Sequence, residues 1–211
     1  RSVLSDRGAR KAVTAPRLWA VVPAAGIGRR MGVDTPKQYL RLGGRTVLEH
    51  TLAALAGIEG LAGMVLALAD EDRYWAELSF APDCPLYTAR GGAERAESVL
   101  NALAVLRDYA GDDDWVLVHD AARPCVRQED LARLIAELQD GPVGGLLAVP
   151  VRDTMKQADD TQCCTATVER GRLWHALTPQ MFRFAALRQA LRAVHTAGVA
   201  VTDDASALEY A

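Results

Sequence analysis

The chain has 211 residues, 50% of them hydrophobic and 24% charged, enough for one α/β domain with a filled core and ordinary for a soluble globular protein. Its net charge of −3 excludes a bulk electrostatic pull toward nucleic acid or an anionic membrane, and no apolar run approaches the roughly 18 residues that cross a bilayer. Cys84, Cys125, Cys163 and Cys164 form no C-x-x-C pair and have no histidine cluster nearby, so zinc is disfavoured and reduced thiols in a cytoplasmic protein are expected.

Arg1–Arg17 is basic but has no apolar segment, so it is not a secretory signal. A flexible tail is expected there, and it opens on Arg rather than Met, as a trimmed chain would. Residues 18–211 are expected to form a single domain. Its first element is a buried strand, Leu18–Val22, that runs straight into PAAGIGRR (Pro23–Arg30). Gly26, Gly28 and Gly32 allow the backbone to bend tightly and bring N–H groups to an anion. Arg29, Arg30 and Lys37 add up to three positive charges at the same place. Such a loop at the carboxyl end of a first strand suits a triphosphate. The competing reading is a flexible basic surface loop. The third glycine comes one residue too late for the dinucleotide fingerprint, and Glu49, nearest to the acidic position about 20 residues on, falls in a helical pattern. A P-loop is excluded because no Gly-Lys-Ser/Thr closes the loop.

A helix follows with Leu48, Leu52 and Leu55 on one face, then a strand Met64–Ala69, a short helix from Arg73 and a short strand near Leu86–Ala89. RGGAERAES (Arg90–Ser98) leaves that strand and opens a helix from about Glu94, with Val99, Leu103 and Leu106 in register. Gly91 and Gly92 permit close approach of a flat base or sugar. Arg95 and Ser98 share a face of the first helical turn; alternatively Glu94 only complements the helix N-terminus and Arg95 is solvated. The strand Trp115–His119 leads into HDAARP (His119–Pro124). Asp120 ends a buried strand, where a carboxylate needs a partner: a metal-bridged phosphate, a ribose hydroxyl or Arg123. Strand alternation turns His119 to the other face, as a structural residue. A helix carrying Leu131, Leu134, Ile135 and Leu138 and a strand Leu146–Pro150 complete this part.

Short continuous apolar runs alternating with amphipathic helices predict a doubly wound α/β fold around a mostly parallel sheet. Between about Val151 and Thr178 the pattern changes to short β segments, Thr154–Gln157, Thr165–Glu169 and Leu173–Ala176. A projecting β-arm is expected, and since a lone hairpin is marginal in water it should rest on a second subunit. Arg152, Asp153, Thr154, Arg170, Arg172 and Thr178 are its polar residues. Such an arm could carry Arg170 into a neighbour's site, or it is a solvated ribbon whose charges protect its edges. A helix over about Phe182–His195 and a short one after Asp203 and Asp204 end the chain.

Seven ordered blocks, PAAGIGRRMG, TPKQY, GGAERAESV, VHDAARP, VPVRDTMK, LWHALTPQ and TDDASALEY, resemble the 2-C-methyl-D-erythritol 4-phosphate cytidylyltransferase family over about residues 18–211. The resemblance implies a Rossmann-like nucleotidyltransferase fold, a cytoplasmic homodimer joined through interlocking arms, and CTP, Mg²⁺ and a methylerythritol phosphate as ligands. It places CTP on the backbone of Pro23, Ala24, Ala25, Gly26 and Gly28, with Gly91 and Ser98 holding the cytosine and Asp120 and Arg123 on the floor of the site near the ribose and second substrate; Arg95 and Ala121 are further candidates for nucleotide binding, and Asp120 is a candidate metal ligand. Arg30 and Lys37 would stabilise the transition state. Arg123, Asp153, Thr154 and Thr178 would bind the second substrate, and Arg170 of the partner subunit would position it. The family continues into a C-terminal stretch with a lysine in an Asn-Ile-Lys context, whereas this sequence stops at Ala211; a trimmed tail is the expectation. The turn at Gly171–Arg172 differs from the family's Asn-Gly type and is expected to shift the arm slightly.

The implied reaction is attack of a phosphate oxygen on the α-phosphorus of CTP, with release of pyrophosphate. A CTP of about four negative charges, less two for Mg²⁺ and plus nearly two for the incoming phosphate, leaves some four to offset. Arg30, Lys37, Arg123 and the partner's Arg170 match that number. Two other functions stay open on the sequence: cytidylyl transfer to another polyol phosphate such as ribitol 5-phosphate, and a non-catalytic nucleotide-binding dimer.

Overall fold

A computed structural model describes residues 15–26 and 35–211. Gly28, Arg29, Arg30 and Gly32, and most of the N-terminal tail, lie outside the described residues. Strand β1 (Leu18–Pro23) is buried on both faces, Trp19, Ala20, Val21 and Val22 alike. The unbroken apolar run has that cause: helices cover both sides. A 3-10 turn at Lys37–Tyr39, a tight ribbon of β2 (Arg41–Leu42) and β3 (Arg45–Thr46), and helix α1 (Val47–Ala56) follow. Thr46 caps α1 reciprocally with Glu49, whose Oε2 accepts the Thr46 N–H at 2.7 Å. That bond accounts for Glu49 as a helix-start residue.

The next strands and helices alternate as expected: β4 (Leu61–Leu68), β5 (Leu86–Arg90), α2 (Arg95–Leu106), β6 (Trp115–Val118), α3 (Gln128–Leu138) and β7 (Gly144–Pro150). The helix expected from Arg73 is only a 3-10 turn, Trp75–Glu77. Asp72 Oδ1 accepts the N–H groups of Tyr74 and Trp75, and Pro82 and Pro85 keep the following chain out of helix. The arm comprises β8 (Met155–Ala158) and β9 (Cys164–Val168), paired with each other in a sheet of their own. Almost all of their residues are exposed. The third expected arm segment, Leu173–Ala176, is instead the start of a ten-residue strand, β10 (Trp174–Arg183). Its outer half pairs with the exposed end of β7, and after an irregularity between Ala176 and Gln180 its inner half enters the main sheet. Helices α4 (Phe184–Ala197) and α5 (Asp204–Tyr210) close the chain.

The main sheet has the order β5-β4-β1-β6-β10-β7. β1 pairs in parallel with β4 and β6, and β4 with β5; β10 runs antiparallel to both of its neighbours. One face carries α2, α4 and α5 over Val21, Val65, Val116 and Val118. The other carries α1 and α3 over Ala20, Val22, Met64 and Leu117. The doubly wound, mostly parallel arrangement with an arm is therefore observed, and each fully buried leucine of these faces contributes roughly 1.5–3 kcal/mol. At Gly144 the φ is +138° and a Cβ would lie 2.1 Å from the Met181 carbonyl oxygen, so only glycine lets β7 start this close to β10. The strand order reverses beside β1, where the chains leaving β1 and β6 diverge and a crevice opens at the carboxyl edge.

Candidate functional site

Three segments meet at that edge: the loop after β1, the turn between β5 and α2, and the residues after β6. With the Lys37 turn they line a cavity of about 240 Å³ that includes Pro23, Ala24, Ala25, Gly26, Lys37, Arg95, Ser98, Asp120 and Ala121. Nine residues assigned from the sequence to nucleotide and catalysis are thus brought together. The last residues of β4 fix two of the segments: the Ala24 N–H donates to the Ala67 carbonyl at 2.8 Å, and the Gly91 N–H to the Leu68 carbonyl at 2.6 Å.

Gly91 does not line this cavity, and its glycine requirement is internal. A Cβ there would stand 2.1 Å from the Ala25 Cβ and 2.9 Å from the Leu68 oxygen. The missing side chain admits the neighbouring loop of the protein itself, and Gly91 lines an adjoining hollow with Ala25 and Gly92. A Cβ on Gly92 would likewise meet the Glu97 side chain at 2.3 Å. Ser98 is buried; its Oγ accepts the Gly92 N–H at 3.0 Å and donates to the Glu94 carbonyl at 3.1 Å. It shapes the turn that presents Arg95.

Gln38, which the sequence reading passed over, positions Lys37. Its buried amide donates from Nε2 to the carbonyls of Ala24 at 2.7 Å and Gly26 at 3.1 Å. The next residue, Tyr39, is buried and donates to Asp72 Oδ2 at 2.7 Å; burial, with Asp72 adding to it, pushes its phenol well up. Lys37 therefore sits on a turn tied on one side to the glycine loop and on the other to the turn that follows β4. Its neighbours in TPKQY were the available signal.

Asp120 is held by two guanidinium groups. Arg95 Nε donates to Oδ1 at 2.9 Å and Arg123 Nε to Oδ2 at 2.8 Å. Both expectations about partners are answered: the Asp120–Arg123 pair forms, and Arg95 is not merely solvated. Burial pushes the Asp120 carboxyl up, but the two arginines outweigh it and hold it below the ordinary carboxylate range. Arg95 also faces Asp204, with Nη2 2.9 Å from Oδ2. Burial works against the Arg95 charge, yet Asp204 and then Asp120 raise its pKa. The Asp120 N–H donates to Thr178 Oγ1 at 3.3 Å. His119 is fully buried, with Nε2 at 2.9 Å from the Arg123 carbonyl and Nδ1 at 3.0 Å from Thr178 Oγ1. Its burial lowers the imidazole pKa. The strand alternation that assigns it a structural place agrees with these partners.

Asp153, Thr154 and Arg170 do not line the cavity of their own chain. All three are exposed on the arm, where Arg170 Nη1 donates to the Arg152 carbonyl. Among the described residues no group of three or more His, Cys, Asp or Glu could hold a metal. Glu94 and Asp120 are the carboxylates of the cavity wall, and Asp120 is the one that Arg95 grips. Each of its oxygens accepts one guanidinium N–H and keeps lone-pair capacity. That donor set fits a hard cation bound mainly by phosphates and water with one protein carboxylate, the ordinary habit of Mg²⁺. It does not fit a protein-built cage.

The model of the 2-C-methyl-D-erythritol 4-phosphate cytidylyltransferase family matches residues 18–211. The chain is 56% identical over 198 residues to a Pseudomonas putida (strain GB-1) protein of that name, covering 93% of this chain and 84% of the relative. It is 56% identical over 195 residues to one from Ectopseudomonas mendocina (strain ymp), covering 92% and 83%. The crystal structure of the Francisella tularensis 2-C-methyl-D-erythritol 4-phosphate cytidylyltransferase superimposes with a TM-score of 0.78 at 35% identity, over 92% of this chain and 86% of that one. The crystal structure of the Thermus thermophilus protein of the same name gives 0.71 at 31%, over 92% and 84%.

Proposed function

We propose, from the premise that the chain belongs to the 2-C-methyl-D-erythritol 4-phosphate cytidylyltransferase family, that it transfers the cytidylyl group of CTP to 2-C-methyl-D-erythritol 4-phosphate in isoprenoid precursor biosynthesis. The observation that carries the reading is convergence. The β1 loop, Lys37, Arg95 and Asp120 share one cavity at the carboxyl edge of the sheet, in a chain that matches the family throughout residues 18–211. One nucleotidyltransferase unit, with its arm, does the work.

The phosphate monoester of the sugar is already an anion, so it attacks the α-phosphorus of CTP without a general base. One P–O bond forms, the bond between the α-phosphorus and the bridging oxygen breaks, and pyrophosphate leaves with the electron pair. Catalysis is then positioning and charge stabilisation. The N–H groups of Ala25 and Gly26 would donate to phosphate oxygens, as Gly28 does in the family pattern, while the Ala24 N–H is taken by the Ala67 carbonyl. Lys37 stabilises the charge that grows on them; Arg30, beyond the described residues, has the same role in the family pattern. Asp120 is the carboxylate that would hold a Mg²⁺ ion, which would supply two positive charges against the negative charge of the phosphates. Arg123, paired with Asp120, and Thr178, whose Oγ1 accepts the Asp120 N–H, would bind the second substrate beside that carboxylate.

The arm supports a homodimer. Trp174 is 61% exposed, Val149 45% and Met155 37%, large apolar side chains on and beside the arm that a second subunit would cover. The partner's Arg170, with Asp153 and Thr154, would then complete the sugar-phosphate site. No described helix is long and apolar enough to cross a membrane, and a cytoplasmic enzyme without nucleic-acid partners fits the charge.

The test is pyrophosphate release. Turnover should require CTP, a divalent cation and methylerythritol phosphate together. Faster turnover with ribitol 5-phosphate would reassign the substrate, and CTP binding without turnover would leave a nucleotide-binding dimer. Arg170→Ala should raise the KM for the sugar phosphate about tenfold or more, the scale of losing a charged hydrogen bond, while CTP affinity stays within twofold. Calorimetry that finds both ligands equally weakened removes Arg170 from the second-substrate site.

A further inference from the structure

Asp204 is the first residue of α5 and does not line the cavity. Its side chain has no solvent exposure, and neither carboxylate oxygen accepts a hydrogen bond. Burying a carboxylate without such bonds costs several kcal/mol unless a charge stands opposite. The Arg95 guanidinium stands there, at 2.9 Å but off the hydrogen-bond direction. Well-packed apolar residues would usually serve stability as well or better than a buried ion pair. The pair is therefore better explained by what it positions.

Four groups form one row of alternating sign: Asp204, Arg95, Asp120 and Arg123. The inner end is rigid. Asp203 caps α5 reciprocally with Ser206. Gln180 of β10 donates to Asp203 Oδ2 at 2.8 Å and accepts the Ala205 N–H at 2.9 Å. Gln180 is in turn registered against Val118, two residues before Asp120. The outer end is loose, since the Arg123 side chain is 50% exposed and exposed ion pairs hold geometry weakly. A guanidinium is a planar fork, so fixing Nη2 also fixes the direction of Nε. Arg95 Nε is the atom that grips Asp120 Oδ1.

We propose that Asp204 is a positioning residue: it locks the Arg95 fork, and through it sets the carboxylate of Asp120 in the cavity wall and keeps the Arg95 charge away from the triphosphate. This rests on the cytidylyl-transfer reading of the cavity. With Asp204 neutral, Arg95 is free to turn to the triphosphate of bound CTP. Ground-state binding then gains while Asp120 loses its orientation, so kcat falls without a rise in KM for CTP. A general loosening of the site would raise KM instead.

The experiment is a double-mutant cycle of wild type, Asp204→Asn, Arg95→Met and the double variant, in steady-state kinetics and in calorimetry with Mg²⁺–CTP. Asp204→Asn should lower kcat about tenfold or more, the scale of a misplaced group, and tighten CTP about two- to fivefold, the worth of one exposed ion pair. In the Arg95→Met background both changes should vanish. Additive effects, a raised KM with unchanged kcat, or an Asn variant with wild-type kinetics each overturn the proposal. Should Asp204→Asn not fold, Arg95→Lys carries the same question, because a lysine cannot reach Asp120 and Asp204 together; wild-type kcat in that variant overturns it. A wild-type chain that binds CTP yet never turns over sinks the reaction but leaves the cycle readable in CTP affinity. There, equal changes in both backgrounds reject Asp204.

Discussion

Lys37→Ala is expected to lower kcat at least ~100-fold, the scale of removing one preorganised donor to transition-state charge. The lysine itself is exposed, but the residues that carry it are not. Gln38 and Tyr39 are buried beside it, and Gln38 ties the turn to the carbonyls of Ala24 and Gly26. The ammonium is thus delivered on a short rigid base into the cavity that holds the β1 loop. Deleting it leaves those anchors in place, so folding should be unchanged, with a surface substitution's effect of about 0.5 kcal/mol or less. Loss in kcat should exceed loss in CTP affinity, because the charge that Lys37 meets grows as the leaving pyrophosphate departs. Single-turnover kinetics at saturating CTP is the measurement. A rate within threefold of wild type would remove Lys37 from the transition state.

Gly91→Ala should damage both stability and nucleotide binding. The new methyl carbon would stand 2.1 Å from the Ala25 Cβ and 2.9 Å from the Leu68 carbonyl oxygen, and neither obstacle is the end of a flexible side chain. Either the β1 loop moves out or the Gly91–Leu68 hydrogen bond at 2.6 Å breaks. Overpacking of this kind costs roughly 1–3 kcal/mol, which a urea midpoint would register. Since Ala25 lines the cavity, displacing it should also weaken CTP about tenfold or more, as misplaced positioning groups do. A variant with wild-type stability and CTP affinity would refute the close packing of these two loops.

The two substitutions probe features of different legibility. Lys37 stands in the sequence as a cation in a short distinctive block, and its role follows from charge alone. The purpose of Gly91 does not, because a glycine pair before a helix fits ligand approach and internal packing equally well. The distinction needs the 2.1 Å approach of Ala25, a contact between residues far apart in the chain. Gln38 and Asp204 were harder still. A glutamine after a lysine reads as polar surface, and a second aspartate at a helix start reads as a favourable first-turn charge. Their meaning lies in partners at Ala24, Gly26 and Arg95 that no local pattern names. The arm shows the same limit: Leu173–Ala176 reads as a short segment, yet it continues as one strand through Arg183, since strand length is set by the neighbours that pair with it.

Local chemistry was therefore enough for the layered fold, the buried strands and the edge at which phosphate-binding groups gather. Apolar period and glycine placement are properties of neighbouring residues, and the backbone follows them directly. The links from Asp204 through Arg95 to Asp120, and the anchoring of Lys37 by Gln38, came only from the folded chain. A buried charge or amide takes its role from the partner it finds across the sheet, and sequence distance carries no information about that partner.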